Sequence, residues 1–214
     1  MNQSQVSERA QQLERNVAAI RAQFEEPDLV ITAWKLLADG EPVSVDRLAV
    51  AGKWSTEQVR GWLRQHESVE RDDQGCVVGW GLTLRPTAHK FTFDGRVVYG
   101  WCASDTLLFP VLLDKPGAIE SQCPVTGTSI RVDVTPTAVL RVDPPVAVVS
   151  EVRPTHRVED VRANICALGS FFSSRDAAAE WLAQNPQGQL NSVADDFDLH
   201  RETAIALKWI EHVN

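Results

Sequence analysis

Apolar residues in the first third of the chain recur with the spacing of helices. Near the N-terminus the apolar positions are separated by alternating steps of four and three: Val6, Ala10, Leu13, Val17, Ile20 and Phe24. This pattern predicts an amphipathic helix over about residues 4–25. A second helix is predicted in PDLVITAWKLLADG, ending at Gly40. Two shorter helices are predicted from Ser44 to Gly52 and from Ser55 to about Glu67.

The pattern then changes to the alternation of β-strands. SVERDDQGCVVGWGLTL predicts a hairpin that turns at Asp-Asp-Gln-Gly, and HKFTFDGRVVYGW predicts another that turns at Asp94-Gly95. SIRVDVTP, VLRVD and VAVVSEV predict three further strands, with a turn at Pro144-Pro145. Between these strands, Asp105–Leu113 predicts a short helix that Pro110 bends or ends. Two last helices are predicted at Ser174–Ala183 and Phe197–Val213.

The order of these elements indicates the fold class. Three helices followed by a hairpin are the order of a winged helix-turn-helix. We therefore predict an α+β protein, with an N-terminal winged-helix-like unit of three helices and a hairpin at residues 1–84. A catalytic α+β region is predicted at residues 85–214, with a mixed β-sheet core and flanking helices.

The charge distribution opposes nucleic-acid binding by the winged-helix-like unit. The net charge of the 214-residue chain is −8, and the charges on the helix predicted from Ser55 to about Glu67 sum to zero: Glu57, Arg60, Arg64 and Glu67. A recognition helix needs a positive face to reach phosphates. The acidic turn at Asp72-Asp73 would also repel them. We therefore expect neither nucleic acid nor a membrane as a partner. The polar N-terminus has no apolar signal core, which favours a location in the cytoplasm.

The candidate chemistry lies in a stretch that would otherwise be core. Cys102 and Asp105 stand three residues apart among apolar neighbours, so they share one side of a helical turn. Burial there raises a carboxyl pKa and lets the group carry a proton. Cys166 has apolar neighbours as well, and thiolates suit soft metal ions. The structural alternative is two buried core cysteines and an aspartate that caps a helix.

Four segments, taken together, resemble one enzyme family. YGWCASDTLLFP at Tyr99–Pro110 resembles the signature of the organomercurial lyases, also called alkylmercury lyases. Three more segments of this chain also resemble segments of that family: GWGLTLRPTAHKF at Gly79–Phe91, SQCPVTG at Ser121–Gly127 and VRANICALGSFF at Val161–Phe172. They occur in family order with about the family spacing. The resemblance extends over the chain from about Leu29 onward.

The resemblance implies cleavage of the carbon–mercury bond of R–Hg⁺ compounds to give R–H and Hg²⁺. It implies that Cys102 and Cys166 are the mercury-binding catalytic thiols and that Asp105 is the catalytic carboxyl group, which also lies near the metal. No dissociable cofactor is expected. Turnover would need low-molecular-weight thiols or a mercuric reductase to take up the Hg²⁺.

The remaining matches to the family pattern concern single positions. The resemblance implies a structural role for Cys123, whereas Cys76 matches no family position. Ser104 stands where the family often has an aliphatic residue, and Ala167 stands where some members have a further cysteine. Both differences leave the catalytic groups in place.

Two other functions are compatible with the same residues. A metal- or thiol-sensing winged-helix regulator would use the cysteines as its sensor, but the zero net charge of the helix predicted from Ser55 to about Glu67 opposes it. A non-catalytic carrier of mercury or another metal with the same fold would need thiolates and no proton donor. Asp105 therefore favours the enzyme over the carrier.

Overall fold

The computed structural model describes residues 3–24, 26–154 and 156–210 of the chain. Four helices come first: α1 (Gln3–Gln23), α2 (Pro27–Leu37), α3 (Val45–Gly52) and α4 (Thr56–Arg64). The first three match the predicted helices closely, although the side chain of Val6 lies outside the described residues. Among the described residues, no helix has both the length and the apolar character needed to cross a bilayer.

Helix α4 begins as predicted and ends one turn early. Ser55 accepts a hydrogen bond from the backbone N–H of Gln58, and the Gln58 side chain accepts one from the N–H of Ser55, so the predicted capping box is present. The helix ends at Arg64, and Gln65 is its C-cap. A turn that includes His66 then leads into the hairpin.

The main sheet has eight strands in the order β1-β2-β3-β5-β4-β6-β7-β8. These strands are β1 (Glu70–Arg71), β2 (Val77–Trp80), β3 (Leu82–Thr83), β4 (His89–Phe93), β5 (Arg96–Gly100), β6 (Gly117–Gln122), β7 (Ser129–Val134) and β8 (Val139–Asp143). Both predicted hairpins are present, as β1–β2 and as β4–β5. Strand β3 pairs with β2 and β5, so one sheet continues across the division predicted after residue 84, and that division stays a prediction.

A smaller sheet has the order β10-β9-β11, formed by β9 (Val148–Glu151), β10 (Phe171–Phe172) and β11 (Gln189–Ser192). The pairings in both sheets are antiparallel for the described strands. The α+β class is confirmed, but the sheet core is antiparallel where the sequence predicted a mixed one. Tight turns connect many of the strands, and antiparallel pairs are what such turns allow.

Helix α5 (Ala103–Leu113) is the central helix of the molecule. It is buried on nearly every side and contacts β4, β5, α2 and the C-terminal helix. The helix continues past Pro110, so of the predicted bend or end the end is wrong. Proline removes one backbone hydrogen bond, and the contacts around α5 stabilise the helix despite that loss. Its two ends lie at the cysteine site and at Asp114, which adopts a left-handed conformation.

The C-terminal elements differ in extent from those predicted. Short helices α6 (Val161–Asn164) and α7 (Ala179–Gln184) flank β10, and turns occupy most of the segment before α7 where a helix was predicted. Helix α8 runs over Val193–Ala206, because Ser192 caps its N-terminus by accepting a hydrogen bond from the N–H of Asp195. It therefore begins four residues before the predicted Phe197, and the predicted end at Val213 lies outside the described residues.

Candidate active site

Cys102 and Asp105 are joined by local hydrogen bonds at the beginning of α5. The Cys102 sulfur accepts a hydrogen bond from the N–H of Asp105 at 3.4 Å, and Asp105 Oδ2 accepts one from the N–H of Cys102 at 3.1 Å. This is a capping box with cysteine as the N-cap residue. Asp105 is thus the third residue of the helix, not its cap as the structural alternative supposed. The three-residue spacing holds thiol and carboxyl group on one side of the turn.

Cys166 reaches the same site from a distant part of the chain. It begins a 3₁₀ turn, Cys166–Leu168, that follows α6. Gly169 ends this turn and accepts a hydrogen bond from the N–H of Ala103 at 3.1 Å. A Cβ atom at Gly169 would lie 2.9 Å from the Cβ of Cys102, so glycine permits the two segments to approach this closely.

The structure brings together all three predicted site residues. The two sulfur atoms and a carboxylate oxygen of Asp105 all lie within 4.8 Å of one another. Cys102 and Cys166 are buried, with 8% and 7% of their surfaces exposed, and Asp105 is partly buried. Both cysteines are free thiols. This set of ligands suits a soft cation held by two sulfurs beside one acidic group.

Burial raises the pKa of each of the three groups of this site. The pKa of Cys102 is raised well above its ordinary value by the hydrogen bond with Cys166, by desolvation and by the charge of Asp105. The hydrogen bond with Cys102 lowers the pKa of Cys166, but desolvation and Asp105 outweigh it and leave a net increase. Desolvation also raises the pKa of Asp105, against the hydrogen bonds from Cys102 and the charge of His200.

The site lies in the wall of a mostly apolar cavity of about 160 Å³. Apolar and aromatic side chains in or next to α1, α2, β2 and α5 form much of its lining: Ile20, Phe24, Trp34, Trp80, Trp101 and Leu108. An apolar cavity of roughly 150 Å³ is large enough to bind benzene. The cavity therefore has room for an organic group of that size beside the sulfur atoms.

A second polar group lies at the cavity and was not predicted from the sequence. Glu151 at the end of β9, Arg153 just after it and His200 on α8 line the cavity, and the fully buried Asp196 on α8 lies next to them. We refer to these four residues as the charged cluster. The four-residue spacing of Asp196 and His200 could have indicated that their side chains are neighbours on one helix. Glu151 and Arg153 approach these two residues because α8 packs against β9, and no local sequence pattern indicates that contact.

The other two cysteines lie outside this site. Cys123 follows β6 and accepts a hydrogen bond from the Ser173 hydroxyl at 3.6 Å. Desolvation would raise the pKa of Cys123, but hydrogen bonds, above all from Thr126, outweigh it and lower the pKa to about 6. Cys76 is partly buried in the β1–β2 hairpin. Neither of them shares the group of possible ligands formed by Cys102, Asp105 and Cys166.

Comparison with known proteins places this chain in one family. The family profile described as alkylmercury lyase matches residues 82–204, and the profile of the helix-turn-helix domain of alkylmercury lyase matches residues 9–81. An alkylmercury lyase of Staphylococcus epidermidis is 42% identical over 87% of this chain and 91% of its own length. One of Bacillus cereus is 46% identical over 78% of this chain and 76% of its own.

A solved structure shows the same fold. The crystal structure of the mercury-bound form of MerB2 superposes with a TM-score of 0.71 and covers 89% of this chain and 96% of that chain, at 22% sequence identity. The three clustered site residues, the two profiles that together span residues 9–204 and the high identity to curated relatives agree. The chain belongs to the alkylmercury lyase family.

Proposed function

We propose that this protein cleaves the carbon–mercury bond of R–Hg⁺ compounds by protonolysis, with Cys102 and Cys166 as mercury ligands and Asp105 as proton donor. The observation that carries the proposal is the approach of two thiol sulfurs and one carboxyl oxygen to within 4.8 Å in the wall of an apolar cavity. Two soft ligands beside an acidic group are what this reaction requires.

The first step is capture of mercury by sulfur. One thiol displaces the labile ligand X of R–Hg–X, so that a sulfur–mercury bond forms and the thiol proton leaves with X. The raised pKa values of both thiols mean that these protons are present before substrate arrives. The organic group R then lies among the aromatic side chains that line the cavity.

The second step delivers a proton to carbon. The other cysteine adds its sulfur to mercury and passes its proton to the ionised Asp105. Two sulfur ligands increase the electron density on carbon, and Asp105 protonates it as the mercury–carbon bond breaks. One R–Hg–X and two thiols thus give R–H, HX and Hg²⁺ held by two sulfurs. Holding all three groups together makes these transfers effectively intramolecular.

Product release needs a thiol acceptor. Two buried sulfurs hold Hg²⁺ tightly, so a low-molecular-weight thiol or a mercuric reductase must exchange with them before the next cycle. The protein groups supply the chemistry proposed above without a dissociable cofactor. Free thiols of this kind persist in a reducing compartment, so we place the protein in the cytoplasm.

A single incubation tests this function. Purified protein is mixed with phenylmercury and excess thiol, and benzene is measured by gas chromatography. Catalytic release of many benzene molecules per protein is the expected result, and Cys76→Ser serves as the control that keeps the site intact. Binding of phenylmercury without release of benzene would instead identify a mercury carrier.

The regulator alternative has its own test. The exposed Glu57 and Arg64 of α4 form an ion pair at 3.3 Å, so this helix presents no continuous positive face. We therefore expect no sequence-specific DNA binding. Fluorescence anisotropy at physiological salt with a library of duplexes measures it, and a dissociation constant tighter than about 10⁻⁷ M for one sequence would support a regulator.

A further inference from the structure

The charged cluster contains its own cation and is therefore not a metal site. Ligand atoms of Glu151, Asp196 and His200 lie within 4.8 Å of one another, as in metal centres. However, the Arg153 guanidinium forms an ion pair with Glu151 and lies 3.7 Å from Asp196 Oδ1. A divalent cation would be repelled by this fixed positive charge.

Asp196 is the centre of the cluster and is held by several donors. Its side chain is fully buried, and it accepts a hydrogen bond from the Asn191 amide at 3.0 Å. His200 Nδ1 lies 3.4 Å from Asp196 Oδ2. Desolvation raises the pKa of Asp196, but His200 and Arg153 outweigh it and hold this pKa far below its usual range. Asp196 is thus an immobile, ionised anchor between α8 and β11.

Ser104 connects this anchor to the reactive turn of α5. Its hydroxyl donates a hydrogen bond to Asp196 Oδ2 at 2.9 Å, and the residue is 7% exposed. Ser104 lies between Cys102 and Asp105, which share the capping box of the same turn. Hydrogen bonds to an ionised acceptor are stronger and more directional than neutral ones.

We propose that Ser104 is a positioning residue for carbon–mercury cleavage, which ties the first turn of α5 to Asp196 on α8. The proposal rests on the proposed function for its catalytic consequence. Cys166 approaches from another segment, whereas Cys102 and Asp105 move together with the α5 turn. When mercury becomes bound to both sulfurs, an unanchored turn would shift and Asp105 would lose its alignment with carbon. A displacement of about 1 Å can lower a rate 10²-fold.

The test compares Ser104→Ala with Ser104→Thr, because threonine keeps the hydroxyl group. Benzene release from phenylmercury is measured at saturating substrate and normalised to the concentration of titrated sites. We expect kcat to fall about 10- to 100-fold in Ser104→Ala, with KM little changed, and to recover to within about threefold in Ser104→Thr. Ser121→Ala removes another buried hydroxyl, bonded to His89 at 2.9 Å, and is the matched control.

A second readout does not depend on turnover. Inorganic Hg²⁺ is titrated into each protein in competition with a small dithiol, and Ser104→Ala should hold Hg²⁺ about tenfold less tightly than Ser121→Ala. A merely structural role would lower the melting temperature or the fraction of titrated sites and leave the normalised kcat unchanged. That result, or a failure of threonine to restore kcat, would overturn the positioning role.

The two proposals fail in different ways. If the unmodified protein releases no benzene, the proposed lyase function is wrong, and the Hg²⁺ competition alone decides whether Ser104 positions the sulfurs. If the unmodified protein turns over and Ser104→Ala equals it in both readouts, the lyase function stands and the role of Ser104 is wrong.

Discussion

Two groups of ionisable residues meet at the same cavity, and the pKa of one aspartate in each group is shifted in the opposite direction. At the cysteine site, desolvation raises the pKa of Asp105, and the hydrogen bonds from Cys102 and the charge of His200 offset it only in part. In the charged cluster, His200 and Arg153 outweigh desolvation and hold the pKa of Asp196 far below its usual range. Desolvation favours the neutral form of a buried carboxyl group and nearby cations favour the charged form, so the balance of the two decides the direction of each pKa shift.

The two groups also differ in how many segments of the chain build them. Cys102 and Asp105 belong to one helical turn, and only Cys166 arrives from elsewhere. The residues of the charged cluster come from β9, from the segment after it and from α8. Ser104 donates the hydrogen bond that links one group to the other. In the proposed mechanism, Asp105 changes its protonation during a cycle while the hydrogen bond between Ser104 and Asp196 holds the first turn of α5 in place.

The largest expected effect separates Cys102 and Cys166 from the other two cysteines. Cys102→Ser and Cys166→Ser should each reduce benzene release from phenylmercury to background, because serine oxygen is a poor ligand for mercury. Cys76→Ser, in the hairpin, should retain nearly full activity. Gas chromatography of the headspace measures all three variants. Turnover near that of the unmodified protein in either of the first two would contradict a mechanism with two thiols.

Replacement of Asp105 should separate capture from cleavage. Asp105→Ala retains both sulfurs, so we expect stoichiometric binding of R–Hg⁺ and a persistent adduct in mass spectra of the intact protein. Release of R–H should fall about 10²- to 10⁴-fold, which is the usual loss for a positioned general acid. Asp73→Ala, at an exposed turn, is the control. Release at an unchanged rate would assign the proton to water or a thiol.

The charged cluster should make stability depend on pH. Desolvation and the charge of Asp196 raise the pKa of Glu151 to about 7, against the charge of Arg153. Between the unfolded value of 4.5 and about 7, the folded state holds a proton that the unfolded chain has lost, so stability falls as pH rises. Glu151→Gln should remove up to about 1.4 kcal/mol per pH unit from this slope.

Urea unfolding at intervals from pH 5 to pH 7 measures that slope. Glu120→Gln is the matched control, because Glu120 is only partly buried on β6 and Lys90 lowers its pKa. A slope that is identical with and without Glu151 would show that this carboxyl group is already ionised in the folded protein.

The smallest expected effect concerns Cys123, which is buried outside both groups. Cys123→Ser should lower the free energy of unfolding by about 1–3 kcal/mol and leave the normalised turnover rate unchanged. Chemical denaturation and the benzene assay are run on the same preparation. A large loss of turnover with unchanged stability would give Cys123 a part in the reaction and not only in the structure.

Local interactions made much of this protein predictable. The capping box of Ser55 and Gln58, the turn at Asp94-Gly95 and the three-residue spacing of Cys102 and Asp105 depend on neighbours in the chain, so their residue types suffice. The prediction that Cys166 shares a site with Cys102 and Asp105 came from the family resemblance, because no local pattern connects Cys166 to Cys102.

The tertiary structure decided what distant segments do to one another. Helix α5 continues through Pro110 because its buried surroundings stabilise it, and the approach of Cys166 depends on the absence of a side chain at Gly169. The charged cluster exists because α8 packs on β9. Sequence determines which groups can ionise, but burial and the nearest opposite charge set their pKa values, and both arise only from the packing of the folded chain.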